Sequence, residues 1–114
     1  MTVQQAMAMA DELRPNMIED KTKAFWLYEL DGRVAEMMEI TPPAFDFPKS
    51  HDLLLQAPYE SVYVRYLTAM IDYYQGEMSL YDGDMTLFNA AMKDAAAAWR
   101  RGHKSKVMRW GVGL

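Results

Sequence analysis

Cysteine is absent from this 114-residue chain. That excludes a disulfide framework and thiolate chemistry, and a reducing cytosol is the default setting for such a sequence. No apolar run approaches the roughly 20 residues that a membrane-spanning helix needs, so no membrane partner is expected. The first residues lack a basic segment followed by an apolar core, so no signal peptide is expected. His-Glu-x-x-His, Gly-x-Ser-x-Gly and phosphate-cradling patterns are all missing. Gly111-Val-Gly113 has no strand before it and no helix after it, and so does not build a nucleotide site. The expectation is a protein with no catalytic residues, no metal and no cofactor: not an enzyme.

What is present suits a single globular domain. Half the residues are hydrophobic, and a chain of this size buries roughly two thirds of its unfolded surface. Eleven methionines and a run of alanines favour helix, because these side chains lose little rotamer freedom there. Charge is divided unevenly. Residues 1–98 carry 7 basic and 16 acidic side chains, a net −9. Residues 99–114 carry 5 basic side chains and no acid, a net +5. An acidic body avoids nucleic acid, and a basic tail seeks an anionic surface.

The stretch from Tyr59 to Tyr81 organises the chain. Apolar or aromatic residues at 59, 62, 63, 66, 67, 70, 73, 74, 78 and 81 fall on one face of a helix. Pro58 suits its opening, Gly83 its stop, and Asp84 a cap for the next helix. Gly76 inside the pattern suits a helix–helix contact or a fraying point.

The remaining elements are sized to cover that helix. Val3, Ala6, Ala10 and Leu13 share a face in a first helix over residues 3–13, capped by Thr2 and stopped by Pro15. A second helix is expected from Glu19 to Met38, with Asp31-Gly32 marking a kink or a close approach; two shorter helices are the alternative. Residues 41–52 hold three prolines and form a long loop. Phe45 and Phe47 in it either pack over the helices or dock on a neighbour. Residues 52–56 read as a strand-like segment or a buried turn. Met85, Phe88, Met92, Ala95 and Trp99 predict a last helix from Met85 to Arg101, with Gly102 as its stop. The fold class is therefore all-α: a small antiparallel bundle of about four helices, with a long proline-rich loop and a basic C-terminal tail. The helical domain occupies residues 1–102 and a flexible tail residues 103–114.

Few side chains suggest chemistry. His51-Asp52 has the form of half a metal-dependent phosphohydrolase site, but it lacks convergent ligands, so a surface or capping role is expected. Asp72 and Glu77 border the aromatic face; Asp72 is expected in solvent and Glu77 paired with a base on the last helix. The candidate partner-binding residues are Arg100, Arg101, Lys104, Lys106, Arg109 and Trp110. Basic side chains around an aromatic anchor suit docking on an acidic protein surface. A solvated tail is the second reading, and weak, salt-sensitive phosphate binding the third.

Several stretches together resemble small tailed-phage and prophage proteins. They are Leu27 to Gly32 (Leu-Tyr-Glu-Leu-Asp-Gly), Ala57 to Glu60, Val62 to Leu67, Ala69 to Glu77, Phe88 to Ala90 and Trp99 to Arg101. The pattern covers roughly residues 3–101 and is similar to the head–tail connector family, the adaptor or head-completion proteins. The resemblance implies a structural virion protein, made in the host cytoplasm and assembled as a ring of about twelve subunits beneath the portal. The implied partners are further copies of itself, the portal protein and a tail-completion protein. DNA would pass through the channel without specific binding, and an acidic wall would let it slide. Family members use a C-terminal segment to engage the portal or a neighbouring subunit. The alternative is a nucleic-acid-binding packaging accessory that uses the basic tail.

Overall fold

The computed structural model describes residues 1–42, 44 and 50–103. Four helices follow in order: α1 (Val3–Leu13), α2 (Asp20–Met37), α3 (Ser61–Tyr74) and α4 (Met78–Gly102). The fold is all-α. Phe45 and Phe47, and residues 104–114 of the tail, lie outside the described residues.

Helix α1 opens with a reciprocal cap. The Thr2 hydroxyl accepts from the Gln5 amide at 3.1 Å, and the Gln5 side chain accepts from the Thr2 amide at 2.9 Å. Two otherwise orphaned donors are thereby satisfied. The α1–α2 turn is tied down by Lys23, whose ammonium is almost fully buried. It donates to both Asp11 oxygens, at 2.8 and 2.9 Å, and to Asn16 Oδ1 at 3.2 Å. A buried ammonium survives only with such partners.

Helix α2 is continuous through Asp31-Gly32. Of the kink or close approach expected at Gly32, the close approach is not made by any described residue, since a Cβ there would meet nothing within 4 Å among them. The helix ends in a Schellman-type closure: Glu39 takes φ +58°, and the Ile40 amide donates to the Ala35 carbonyl at 3.0 Å.

The sequence pattern places the stop of the central helix at Gly83, but the structure places it at Gly76. Gly76 adopts φ +77°. Its amide donates to the Tyr73 carbonyl, and the Glu77 amide donates to the Asp72 carbonyl. That pair of bonds satisfies the last carbonyls of α3. The apolar period carries across this break because α4 begins at once and turns its own face to α3. The last helix therefore starts at Met78 instead of Met85, and Gly83 lies inside it. Asp84 is likewise a residue of α4 and not its cap.

Helices α3 and α4 form an antiparallel hairpin. Tyr73 meets Tyr81 with ring centroids 5.3 Å apart, and Tyr66 meets Phe88 at 5.0 Å. Moving seven residues back along α3 moves seven forward along α4, which fixes the register. Helix α3 contacts all three other helices, while α2 contacts only α1 and α3 to a comparable extent. Nine of the fourteen α3 residues are buried, so it is the core element that the other three cover.

One polar node joins the helices to residues 50–56. The Tyr63 hydroxyl donates to Asp31 Oδ1 at 2.6 Å and accepts from the Leu55 amide at 2.8 Å. Asp31 Oδ1 also accepts from the Leu54 amide at 3.1 Å. Leu53 and Leu55 are buried on either side of it. The same segment pairs with the N-terminus: Leu53 donates to the Met1 carbonyl, Val3 donates to the His51 carbonyl, and Thr2 bridges Asp52 in antiparallel fashion. Of residues 52–56 only Asp52 makes a strand-like bridge; the rest is an irregular segment anchored by the buried Leu53 and Leu55. His51 contributes its backbone carbonyl to that pairing.

Substituting Tyr63→Phe removes a hydrogen bond to a buried carboxylate and leaves the Leu55 amide without an acceptor. Urea unfolding should show a loss of about 2–3 kcal/mol. Tyr73→Phe, on the exposed end of the same helix, should change stability by less than about 0.5 kcal/mol. Equal effects would remove the node from the account of stability.

Candidate functional site

The basic residues expected to bind a partner are only partly within view. Arg100 and Arg101 stand exposed in the last turn of α4, where cations complement the helix dipole. His103 caps that end, with its ring stacked on Trp99 at 3.5 Å and its Nδ1 2.9 Å from the Trp99 carbonyl. Lys104, Lys106, Arg109 and Trp110 lie outside the described residues. Among the described residues, no three His, Cys, Asp or Glu side chains gather as metal ligands.

The structure instead draws attention to the junction of α1, α3 and α4. Arg14, the C-cap of α1, reaches across the bundle: Nε donates to Asp72 Oδ1 at 2.9 Å, and an Nη donates to Asp84 Oδ2 at 3.0 Å. Sequence reasoning expects Asp72 in solvent, but its side chain is 0% exposed. The reason is the helical wheel. Asp72 falls on the α1-facing side of α3 with Thr68 and Val64, one turn before the Gly76 stop, so α1 and α4 close over it. Glu77, expected in an ion pair, is an exposed N-cap residue of α4.

Burial first, and then the nearby Asp84, close enough to share a hydrogen bond, push the Asp72 carboxyl up to about 6 against the opposing pull of Arg14. One guanidinium shared between two carboxylates, itself partly exposed, does not outweigh the loss of water around Asp72. Asp72 Oδ2 has no hydrogen-bond partner in the ionised form. A proton there gives it a donor to direct at Asp84. Asp31 is raised for the same first reason, burial, against the hydrogen bonds from Tyr63 and Leu54. Nothing about Asp72 and Asp84 sets up general acid–base work, because the carboxyl that holds the proton is sealed from substrate.

Beside the clamp runs an open groove of about 400 Å³. Met9 and Leu13 of α1 form one wall, Leu87 of α4 the other, and Val64, Arg65 and Thr68 of α3 the floor. The wall residues are half exposed: Met9 48%, Leu13 58% and Leu87 50%. Arg65 is half-buried and also borders the neighbouring recess between α3 and α4. Its guanidinium makes no ion pair among the described residues. Apolar walls with one free cation between them make a docking groove of the helix- or peptide-binding kind.

No family model, curated protein or solved structure matches the chain.

The sequence offered a partial signal for this site. Arg14 and Asp84 are each flagged only by sitting at a turn. Their meeting depends on the register of the α3–α4 hairpin, which the misplaced glycine stop concealed.

The Asp72 shift has a definite sign. Its native value is above the unfolded one, so between about pH 4 and pH 6 the native state binds more protons and stability falls as pH rises. Asp72→Asn imitates the protonated side chain. It should flatten that part of a chemical-denaturation pH series and be at least as stable as the parent at pH 8. A steeper slope in the variant would contradict the assignment.

Proposed function

We propose that the chain is a structural virion protein, a tailed-phage head–tail connector that assembles as a ring and docks beneath the portal. One observation carries most weight. The stretches that carry the resemblance form a single physical unit. Leu27 and Leu30 from the first are fully buried, and Asp31 beside them bonds to Tyr63 of the Val62 to Leu67 stretch at 2.6 Å. Asp72 of the Ala69 to Glu77 stretch is held by Arg14, and Phe88 of the Phe88 to Ala90 stretch packs on Tyr66.

The all-α architecture fits the same reading. No helix among the described residues is long and apolar enough to cross a membrane. The function is mechanical: the protein joins shells and leaves a channel for DNA, with Arg100 and Arg101 at the far end of α4 placed to meet an acidic surface on the portal, a tail-completion protein or a neighbour. The second reading, a packaging accessory that grips DNA, draws on the same exposed arginines.

Native mass spectrometry over a concentration series separates the two. The full chain should give ring-sized oligomers, and Arg100→Glu with Arg101→Glu should reduce them. The packaging reading predicts retarded DNA, with affinity falling on a log–log salt plot by about 0.9 per phosphate contacted. Retarded DNA together with a monomer at every concentration would displace the connector proposal.

A further inference from the structure

Helices α1 and α4 both pack on α3 but scarcely on each other. The strip of α3 between them is left as the floor of the groove, with Ser61, Val64, Arg65 and Thr68 along it. Those positions recur at steps of three and four, so they share one face of the helix. At the Asp72 end, the ion pair between Arg14 and Asp84 joins the two walls. From Ser61 to Thr68 the floor runs about 10.5 Å, which is two turns of helix.

The lining decides what fits there. Met9, Leu13 and Leu87 turn half-exposed apolar side chains into the same groove. Scattered exposed apolar residues need no explanation, but three that converge call for an apolar face opposite them. Apart from Met1, the lining comes from α1 with its Arg14 cap, α3 and α4. Backbone groups inside a helix are already paired along it, so the groove offers no strand edge. A peptide that buries its backbone here must satisfy its own amides and carbonyls, and a helix does so.

Charge narrows the choice further. Among the charged groups that line the groove, Arg14 is paired with Asp72 and Asp84, and the Met1 ammonium with Glu60. Arg65 has no such partner among the described residues. Asp94 borders the neighbouring recess and is exposed, and it forms no ion pair with Arg65. A half-buried guanidinium has shed part of its water, and a carboxylate that meets it with two hydrogen bonds makes good the loss. The chain's own basic end has the wrong sign for this place, since residues 99–114 contain no acid.

We propose that the groove binds an acidic amphipathic helix of a partner protein, with its apolar side chains between Met9, Leu13 and Leu87 and an aspartate or glutamate on Arg65. Two turns cover the floor, so the pattern recognised is apolar at i, i+4 and i+7 with an acid beside it. The proposal stands on the shape and charge of the groove and holds whether or not the chain is a connector.

An mRNA-display library of helical peptides, randomised along one face, is selected on the full chain. The enriched peptides should carry apolar residues at i, i+4 and i+7 and an acid next to them. Fluorescence anisotropy with the tightest of them should show affinity lowered about tenfold or more by Arg65→Glu, as like charges facing across an interface do. Exchanging the peptide's acid for lysine should recover most of that loss on the Arg65→Glu chain. Arg65→Gln, which keeps most of the side chain's length, should weaken binding in the same direction, and circular dichroism should show both variants folded. In methyl NMR the Met9 signal should shift on binding, while that of Met17, outside the groove, should stay. An enrichment of basic or extended peptides, or no enrichment at all, would overturn the proposal. So would acidic peptides that ignore Arg65→Glu and lose affinity on Arg100→Glu, because they would be binding the basic end of α4.

Discussion

The hydrogen bond from Tyr63 to Asp31 is the contact on which the arrangement depends. It crosses between the two helices that hold most of the core. It also fixes where residues 53–56 lie, since Tyr63 and Asp31 between them accept both the Leu54 and Leu55 amides. That segment in turn pairs with the first residues of the chain and sets where α1 begins. A fully apolar pair at this place would bury as much surface and would leave the segment's amides without acceptors. A buried carboxylate is costly, and burial raises both Asp31 and Tyr63 from their ordinary values. What the node supplies in return is a single placement for a stretch with no helix or sheet of its own.

A second buried carboxylate repeats the theme at the other end. Asp72 is sealed beneath α1 and α4 and held by one arginine that also serves Asp84. The arginine is the last residue before Pro15 ends α1, so the turn that stops the helix also presents its charge. Two carboxylates and one guanidinium leave one negative charge too many in a dry place, and a shared proton is the way such a surplus is relieved.

Much of the architecture was legible in sequence because it follows from period and caps. The Thr2 cap, the Pro15 stop, the extent of α2 and the all-α class are local matters of spacing and backbone chemistry. The α3–α4 boundary was not legible for a definite reason. Tyr73, Met78 and Tyr81 keep a helical period across Gly76, because both arms of the hairpin turn apolar faces to the same interface. Periodicity alone does not distinguish one long helix from two that fold back. Asp72 was misjudged for a related reason: a carboxylate reads as polar surface until its partner, 58 residues away, is placed beside it. The groove was invisible for the same cause. It is made by three helices and belongs to none of them.

The lengths of the hairpin arms are unequal, 14 residues in α3 and 25 in α4. In the register set by Tyr66 and Phe88, everything after Ala95 runs past the first turn of α3. The compass bearing of Arg100 and Arg101 is therefore a matter of counting. Each residue added to or taken from the alanine run swings the pair by about 100° about the helix axis and shifts it by about 1.5 Å. The run of alanines works as a dial between the bundle and whatever the arginines meet.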